Sequence, residues 1–265
     1  MLNVNHLTIQ FDDTDPVTEA VTDFSLQIHP GEIVGIVGES GSGKTMTALA
    51  MMGLLNQYAK TTGEIWFQNK NLLELSPQEL RKIRGKDMGM IFQEPMTSLN
   101  PVLRIGEQVE ESLRLHEDLP KEEYKNQALK MMQAVELPNP AELYDKYPHE
   151  LSGGMRQRVM IASALICNPA LLIADEPTTA LDVTIQKQII RLLKWVNQKR
   201  GTAILFISHN LGVVQELCDR VVVMYKGKIM EEGYIDDVFY HPKNEYTRCL
   251  LDAIPTRNHS LRRRN

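Results

Sequence analysis

Gly38-Glu39-Ser40-Gly41-Ser42-Gly43-Lys44-Thr45 is the stretch whose reading decides the fold. It fits the pattern G-x-x-x-x-G-K-S/T, in which a loop between a strand and a helix cradles phosphate groups. The apolar run Ile33-Val34-Gly35-Ile36-Val37 supplies the strand signal. Met46 to Leu55, with no breaker before Gly53, supplies the helix signal. Glycines let successive backbone N–H groups turn toward phosphate oxygens with no Cβ in the way. The helix that follows points its positive end at the same anion. Lys44 is placed to reach β- and γ-phosphates, and the Thr45 hydroxyl to bind Mg²⁺. A glycine-rich turn that ends in Lys-Thr by chance is the plainer alternative. The strand–loop–helix order argues against it and for a nucleoside-triphosphatase.

Two further sites extend this reading. The apolar strand Leu171–Ala174 ends in Asp175-Glu176. An Asp at the carboxyl end of a buried parallel strand, in a chain with a phosphate loop, is placed to hold Mg²⁺. Side chains alternate along a strand, so Glu176 is expected to point away from Asp175 and to polarise the attacking water. His209 follows the strand Ala203–Ser208. Ligands of open α/β sheets collect at the carboxyl ends of strands, where His209 can donate to a γ-phosphate oxygen. Read alone, it is a capping or core-edge histidine. Gln93 ends the strand Met88–Phe92, where its amide can ligate the metal or position water; alone it is an ordinary polar residue.

The rest of the chain supplies the scaffold. Residues 2–10 and 21–29 read as strands around the polar turn Asp12-Asp13-Thr14-Asp15-Pro16, and Glu64-Ile65-Trp66-Phe67 as another. Ser76-Pro77-Gln78-Glu79 is a capping box with Pro at the first helical position, which predicts a helix from Pro77 to about Arg84. Residues 105–150 turn polar and helical, with Tyr124, Ala128, Met131, Met132 and Val135 on one stripe. The Met pair reads as core filler. From 153 onward, strands and helices alternate: helix 153–167, strand 171–175, a helix with Ile185, Ile189, Leu192, Leu193 and Val196 on one face, strand 203–208, a helix near 210–217, and strands at 220–225 and 228–232. This alternation predicts a parallel sheet covered by helices. The fold class is α/β: a parallel-sheet core around the phosphate loop, an N-terminal antiparallel β subdomain and an inserted helical subdomain at about 105–165. One domain is expected over 1–254. Residues 255–265, ending Arg262-Arg263-Arg264, read as a frayed tail, with lipid contact as the lesser alternative.

Composition narrows the function classes. Of 265 residues, 43% are hydrophobic and 24% charged, which is ordinary globular usage. The net charge of −5 argues against a general nucleic-acid binder. No apolar run reaches the ~18–20 residues that span a bilayer, and the first dozen residues do not read as a signal peptide. The chain is expected in the cytosol, with any membrane role through a partner. Cys167, Cys218 and Cys249 lie far apart, and are read as reduced, small buried residues.

Leu151-Ser152-Gly153-Gly154-Met155, followed by Arg156-Gln157-Arg158, resembles the signature motif of ABC-type ATPases. The order of phosphate loop, Gln93, signature, Asp175-Glu176, Asp182 and His209 matches that family over roughly residues 2–254. Met155 stands where the family usually has Gln. Phe92-Gln93-Glu94-Pro95-Met96-Thr97-Ser98-Leu99-Asn100-Pro101, Tyr147-Pro148-His149-Glu150, Thr178-Thr179-Ala180-Leu181-Asp182-Val183-Thr184 and the ending His241-Pro242 … Tyr246-Thr247 … Leu250-Leu251 … Ala253-Ile254-Pro255 are similar to the ATPase subunits of bacterial dipeptide, oligopeptide and nickel importers. Many peptide-importer subunits continue further, often with a cysteine cluster; the shorter ending here tilts the expectation modestly toward a nickel or metallophore type.

The resemblance implies an ATP-hydrolysing subunit, with ATP and Mg²⁺ as ligands, that energises import of small peptides or metal complexes. It implies a head-to-tail dimer, here with a paralogous ATPase subunit, in which one subunit's phosphate loop faces the other's signature. Ser152, Gly153 and Gly154 would then grip the γ-phosphate across the interface, with Asp182 alongside, and Phe11 would stack on adenine. Two membrane permease subunits would be direct partners, an extracytoplasmic solute-binding protein an indirect one, and nucleic acid none. The expected place is the cytoplasmic face of the membrane. A soluble ABC-type ATPase of DNA repair or translation is the alternative, disfavoured by the single cassette without an inserted arm. A regulatory module without turnover is disfavoured by Lys44, Asp175, Glu176 and His209.

Overall fold

A computed structural model describes residues 1–11, 18–93, 98–179 and 181–253. The expected turn at Asp12–Pro16, the stretch Glu94–Thr97, Ala180, and the ending from Ile254 with its three arginines lie outside the described residues.

In chain order the elements begin with β1 (Leu2–Phe11), β2 (Thr18–Ile28), β3 (Ile33–Val37), α1 (Lys44–Met51), β4 (Ala59–Phe67), β5 (Lys70–Asn71), α2 (Pro77–Ile83) and β6 (Met88–Ile91). A helical run follows: α3 (Ile105–His116), α4 (Lys121–Ala134), α5 (Pro140–Leu143), a 3₁₀ turn at Pro148–Glu150 and α6 (Gly153–Leu165). Alternation then resumes with β7 (Leu171–Asp175), α7 (Val183–Arg200), β8 (Ala203–Ile207), α8 (Leu211–Leu217), β9 (Arg220–Tyr225), β10 (Lys228–Tyr234), α9 (Ile235–Tyr240) and α10 (Glu245–Asp252).

The chain divides into two compact units. The first comprises Met1–His29, Ile33–Leu73 and the chain from Leu205 onward. It holds an antiparallel sheet in the order β2-β1-β4-β5. Along β1, Leu2, Val4, Leu7 and Ile9 are buried, as are Val21, Phe24, Leu26 and Ile28 of β2, so one face of this sheet is apolar. The same unit pairs β3 with β9 in parallel, Val34 opposite Arg220 through Val37 opposite Val223, and β9 with β10 antiparallel. All five residues of β3 are buried, as in a strand covered on both faces. The helix after the phosphate loop is shorter than its apolar run: Met52 caps α1, and Gly53, at φ +61°, lies just beyond it. Positive φ is cheap only for glycine, so the chain turns there.

The second unit comprises Pro30–Glu32 and Glu74–Ile204. Its strands β6 and β7 run parallel, with Met88 opposite Leu171 and Ile91 opposite Ala174. Strand β8 begins in this unit, where the Ala203 N–H donates to the Ala170 carbonyl at 2.9 Å. It ends in the first unit, where Ser208 N–H donates to Ile36 O at 3.1 Å. The capping box expected at α2 is present: Ser76 accepts from the Glu79 N–H and Glu79 from the Ser76 N–H. The helical run buries Ile105, Val109, Leu113, Ala128, Met131 and Met132, so the methionine pair is core. Gly106 is required by close approach, because a Cβ there would lie 2.2 Å from the Tyr144 ring. The alternation of strand and helix has thus given α/β structure with parallel pairing, beside an antiparallel β subdomain. Of the cysteines, Cys218 is buried and Cys167 half-buried, but Cys249 is exposed on α10, against the expectation of burial.

Candidate functional site

The phosphate loop lies in the first unit, between β3 and α1. Gly43 precedes the helix at φ +99°, and no side chain caps α1. A Cβ on Gly43 would lie 2.5 Å from the Ala20 carbonyl, and one on Gly38 2.2 Å from the Met224 carbonyl. Backbone from β2 and β9 therefore fixes the loop from behind, and only glycine fits either position. Gly41, at φ +77°, meets nothing within 4 Å; its side of the loop is open. Glu39 and Ser40 are exposed, Ser42 is buried and Thr45 half-buried. Lys44 is only 5% exposed. Its Nζ donates to Gly38 O at 2.9 Å, Glu39 O at 2.7 Å and Ser42 Oγ at 3.3 Å. A buried ammonium ringed by oxygens beside an uncapped helix start and an open glycine is a cradle for an anion.

The strand-end carboxylates lie in the second unit. Asp175 is the last residue of β7 and is buried. Glu176 does not continue the alternation of the strand. It lies one residue past the strand at φ +47°. A left-handed turn at a non-glycine residue is a strained conformation of the kind that clusters at functional sites. This turn re-aims the carboxylate, and Glu176 Oε2 accepts from Gln93 Nε2 at 3.2 Å and from Thr179 Oγ1 at 2.8 Å. Gln93 follows β6 and Glu176 follows β7, so the parallel pairing of those strands brings the two together.

The Leu151–Met155 stretch also lies in the second unit. Ser152 is the N-cap of α6, its hydroxyl accepting from Met155 N–H at 3.4 Å; the sequence reading gave Ser152 only a grip on phosphate. Ser152 and Gly153 are exposed and Gly154 half-buried. Asp182 is likewise an N-cap, accepting from Thr184 and Ile185 N–H at the start of α7. The two helix starts touch: a Cβ on Gly154 would sit 3.3 Å from Ile185 Cγ2. In the first unit, exposed His209 follows β8, just before the Asn210 cap of α8. Half-buried Phe11 ends β1 opposite Thr18 and Ala59. The structure thus gathers Gln93 with Glu176, Gly154 with the start of α7, and Lys44 with its loop.

A sequence model described as "ABC transporter" matches residues 21–179. The chain belongs to the ABC transporter ATP-binding family. This ABC ATPase is 51% identical, over 96% of its length and 79% of the relative's, to the oligopeptide transport ATP-binding protein OppD of Haemophilus influenzae. It is 49% identical, over its whole length but 44% of the relative's, to the glutathione import ATP-binding protein GsiA of Salmonella typhimurium. Its fold superposes with a TM-score of 0.81 and 32% identity on the ATP-binding cassette MJ0796, whose structure is described as a dimeric post-hydrolysis state bound to ADP and Pi; 89% of this chain and 99% of that one are covered. The chain is therefore an ATPase that binds ATP.

The donors available for a metal in this ABC ATPase are of the type Mg²⁺ takes. In the first unit Thr45 offers a hydroxyl; in the second Gln93 offers an amide and Asp175 a carboxylate. No group of three or more His, Cys, Asp or Glu is gathered among the described residues. Two residues escaped the sequence reading. Thr179, three after Glu176, was legible only as part of a family motif, and its hydroxyl bond to the carboxylate needed coordinates. Arg158 is buried in α6 and ties it to α7 through Gln188 Oε1 at 2.7 Å. A buried arginine in an apolar helix was the signal for it.

Proposed function

We propose that this chain is the ATP-hydrolysing subunit that energises import of small peptides through a membrane ABC transporter, acting at the cytoplasmic face. The observation that carries the proposal is the 51% identity to an oligopeptide transport ATP-binding protein along almost the whole chain. The glutathione import relative points the same way, glutathione being a small peptide. Both names favour peptides over metal complexes.

In this reading the loop Gly38–Thr45 takes the phosphates and Lys44 neutralises the β- and γ-oxygens. Thr45, Gln93 and Asp175 would hold Mg²⁺, which would neutralise charge on the phosphates. Glu176, oriented by Gln93 and Thr179, accepts the proton of the water that attacks the γ-phosphorus. His209 donates to a γ-phosphate oxygen, and Phe11 stacks on the adenine. The active assembly is a head-to-tail pair with a paralogous ATPase subunit; the dimeric state of the MJ0796 cassette supports pairing as such. Ser152, Gly153 and Gly154 approach the partner's nucleotide, with Asp182 at the seam. Residues 1–254 act as one ATPase domain with the helices of 105–165 as its helical subdomain, and the solute is handled by two membrane permeases fed by a solute-binding protein. The test is uptake of a labelled oligopeptide by cells that lack the gene: uptake is lost on deletion and restored by the wild-type chain but not by Lys44→Ala. Normal peptide uptake in the deletion strain, with another solute affected instead, would remove the peptide assignment.

A further inference from the structure

The loop between Glu176 and α7 is tied down by a side chain that comes after it in the chain. Gln186 closes the first turn of α7, where its backbone N–H donates to Asp182 O at 2.9 Å. Its side chain reaches back past the helix start. Gln186 Nε2 donates to Thr178 O at 3.2 Å and to Leu181 O at 3.3 Å. Thr178 is buried, and Gln186 and Leu181 are half-buried. The Thr178 carbonyl also accepts from Leu181 N–H, at 3.4 Å, a long bond for this pair of atoms. Both carbonyls precede Asp182, the cap whose own carbonyl takes the first helical bond, so the helix ladder satisfies neither. A primary amide suits this place because it carries two N–H bonds and no charge.

Between the two clamped carbonyls in sequence lies Thr179. Its backbone N–H donates to Glu176 O at 3.1 Å, and its hydroxyl to Glu176 Oε2 at 2.8 Å. Glu176 itself sits at φ +47°, a conformation that persists only where the surroundings hold it. A line of bonds therefore runs from α7 to the carboxylate. Gln186 holds the Thr178 carbonyl, one peptide links that carbonyl to Thr179, and Thr179 holds Glu176 Oε2. An O–H···O bond spans about 2.5–3.0 Å. A drift of the loop by about half an ångström would carry the Thr179 bond out of that range.

We propose that Gln186 is a positioning residue for ATP hydrolysis: its amide clamps the loop that presents the Thr179 hydroxyl to Glu176, and so sets the aim of that carboxylate. The inference rests on the reading of Glu176 as the general base. It predicts an effect on the chemical step and not on nucleotide binding, because Gln186 acts through Thr179 and Glu176 and lies in a different unit from the phosphate loop.

The test is a double-mutant cycle on the full chain with Gln186→Met and Thr179→Val. Steady-state hydrolysis is measured in the assembled transporter, with equilibrium binding of a fluorescent ATP analogue. Methionine keeps the length and the helix propensity of glutamine and removes the donors; thermal unfolding checks that the fold is retained. The expected result is a kcat lowered by about 2–12-fold, up to the worth of the Thr179 bond, with KM and Kd for ATP unchanged. Adding Gln186→Met to Thr179→Val should cost less than it does in the wild type. Gln186→Glu keeps the size and polarity but accepts only, and should slow hydrolysis at least as much. A purely structural residue would lower the unfolding temperature and give costs that multiply. A wild-type kcat in Gln186→Met or Gln186→Glu, or multiplicative costs, overturns the proposal. Glu176→Gln run beside them separates the two readings. If Glu176→Gln hydrolyses ATP normally, the general-base reading falls and this proposal with it. If it loses hydrolysis while Gln186→Met is unaffected, only the role of Gln186 fails.

Discussion

Gln93 donates its side-chain amide to the carboxylate of Glu176 across 3.2 Å, although 83 residues separate them in the chain. The bond joins the residues that follow two parallel neighbours, β6 and β7. Thr179 donates to the same oxygen, Oε2, at 2.8 Å. Two donors on one oxygen fix the plane of the carboxylate, which is what a general base needs to meet a water along a defined line.

Thr179→Val removes one of those donors while keeping the shape of the side chain. Hydrolysis should slow by about 2–12-fold, the value of one hydrogen bond. The KM for ATP should stay the same, because Thr179 acts through Glu176. Steady-state kinetics in the assembled transporter would show this, and an unchanged kcat would mean that Gln93 alone orients the carboxylate.

Much of this site could be read from the sequence. The glycine spacing marked the phosphate loop, and the coordinates supply the reason: Gly38 and Gly43 meet carbonyls of Met224 and Ala20, which no pattern names. Alternation of apolar strands with helical stripes gave the parallel pairing of β6 with β7. The turn at Glu176 was not legible, since period-2 alternation cannot anticipate a left-handed residue just past the strand. The capping by Ser152 and Asp182 was missed because a motif assigned to a ligand hides the simpler role of a hydroxyl or carboxylate before a helix. Tyr246 was quoted as part of an ending, and its ring contact with Tyr225 needed coordinates.

Lys44→Ala should lower ATP affinity by about 10–100-fold or more, as expected for loss of charge-assisted bonds to phosphate. The buried cation is ringed by two loop carbonyls and the Ser42 hydroxyl. Equilibrium binding of a labelled ATP analogue decides, and a wild-type Kd would show that the loop is not the nucleotide site.

Ser152→Arg should leave ATP binding by the isolated chain intact while blocking the ATP-dependent dimer. Ser152 is exposed at the start of α6, and Arg adds bulk and charge there. The lost cap costs about 1 kcal/mol of stability, which thermal unfolding would register separately. Sedimentation with and without ATP reads the dimer. Loss of nucleotide binding as severe as in Lys44→Ala would place Ser152 in the wrong role.

Tyr144→Phe tests the polar cluster of the helical run. Glu110 is 0% exposed, accepts from the Tyr144 hydroxyl at 2.9 Å and pairs with Arg114. Removing the hydroxyl leaves a buried carboxylate oxygen short of a donor, a cost of about 1–3 kcal/mol. Burial first, and Glu110 next, push the Tyr144 phenol from 10.0 up to about 12. The native state thus holds this proton more tightly than the unfolded chain. The resulting stability is fully present below pH 10 and falls as pH rises toward about 12. Urea midpoints at pH 8 and pH 11.5 (roughly, below and within that window) should fall less in Tyr144→Phe than in the wild type. Equal falls would show that Tyr144 does not carry the dependence.

Peptide uptake into proteoliposomes tests the central claim most directly, using the assembled transporter with either the wild-type chain or Glu176→Gln. The amide keeps the shape of the site but accepts no proton from water, so turnover should drop by about 10²-fold or more while ATP binding persists. The account predicts that a labelled oligopeptide accumulates with the wild-type chain, only when Mg-ATP is supplied on the side of this subunit. It predicts no accumulation with Glu176→Gln. Accumulation at the wild-type rate with Glu176→Gln, or ATP hydrolysis by the wild type with no peptide movement at all, would contradict it.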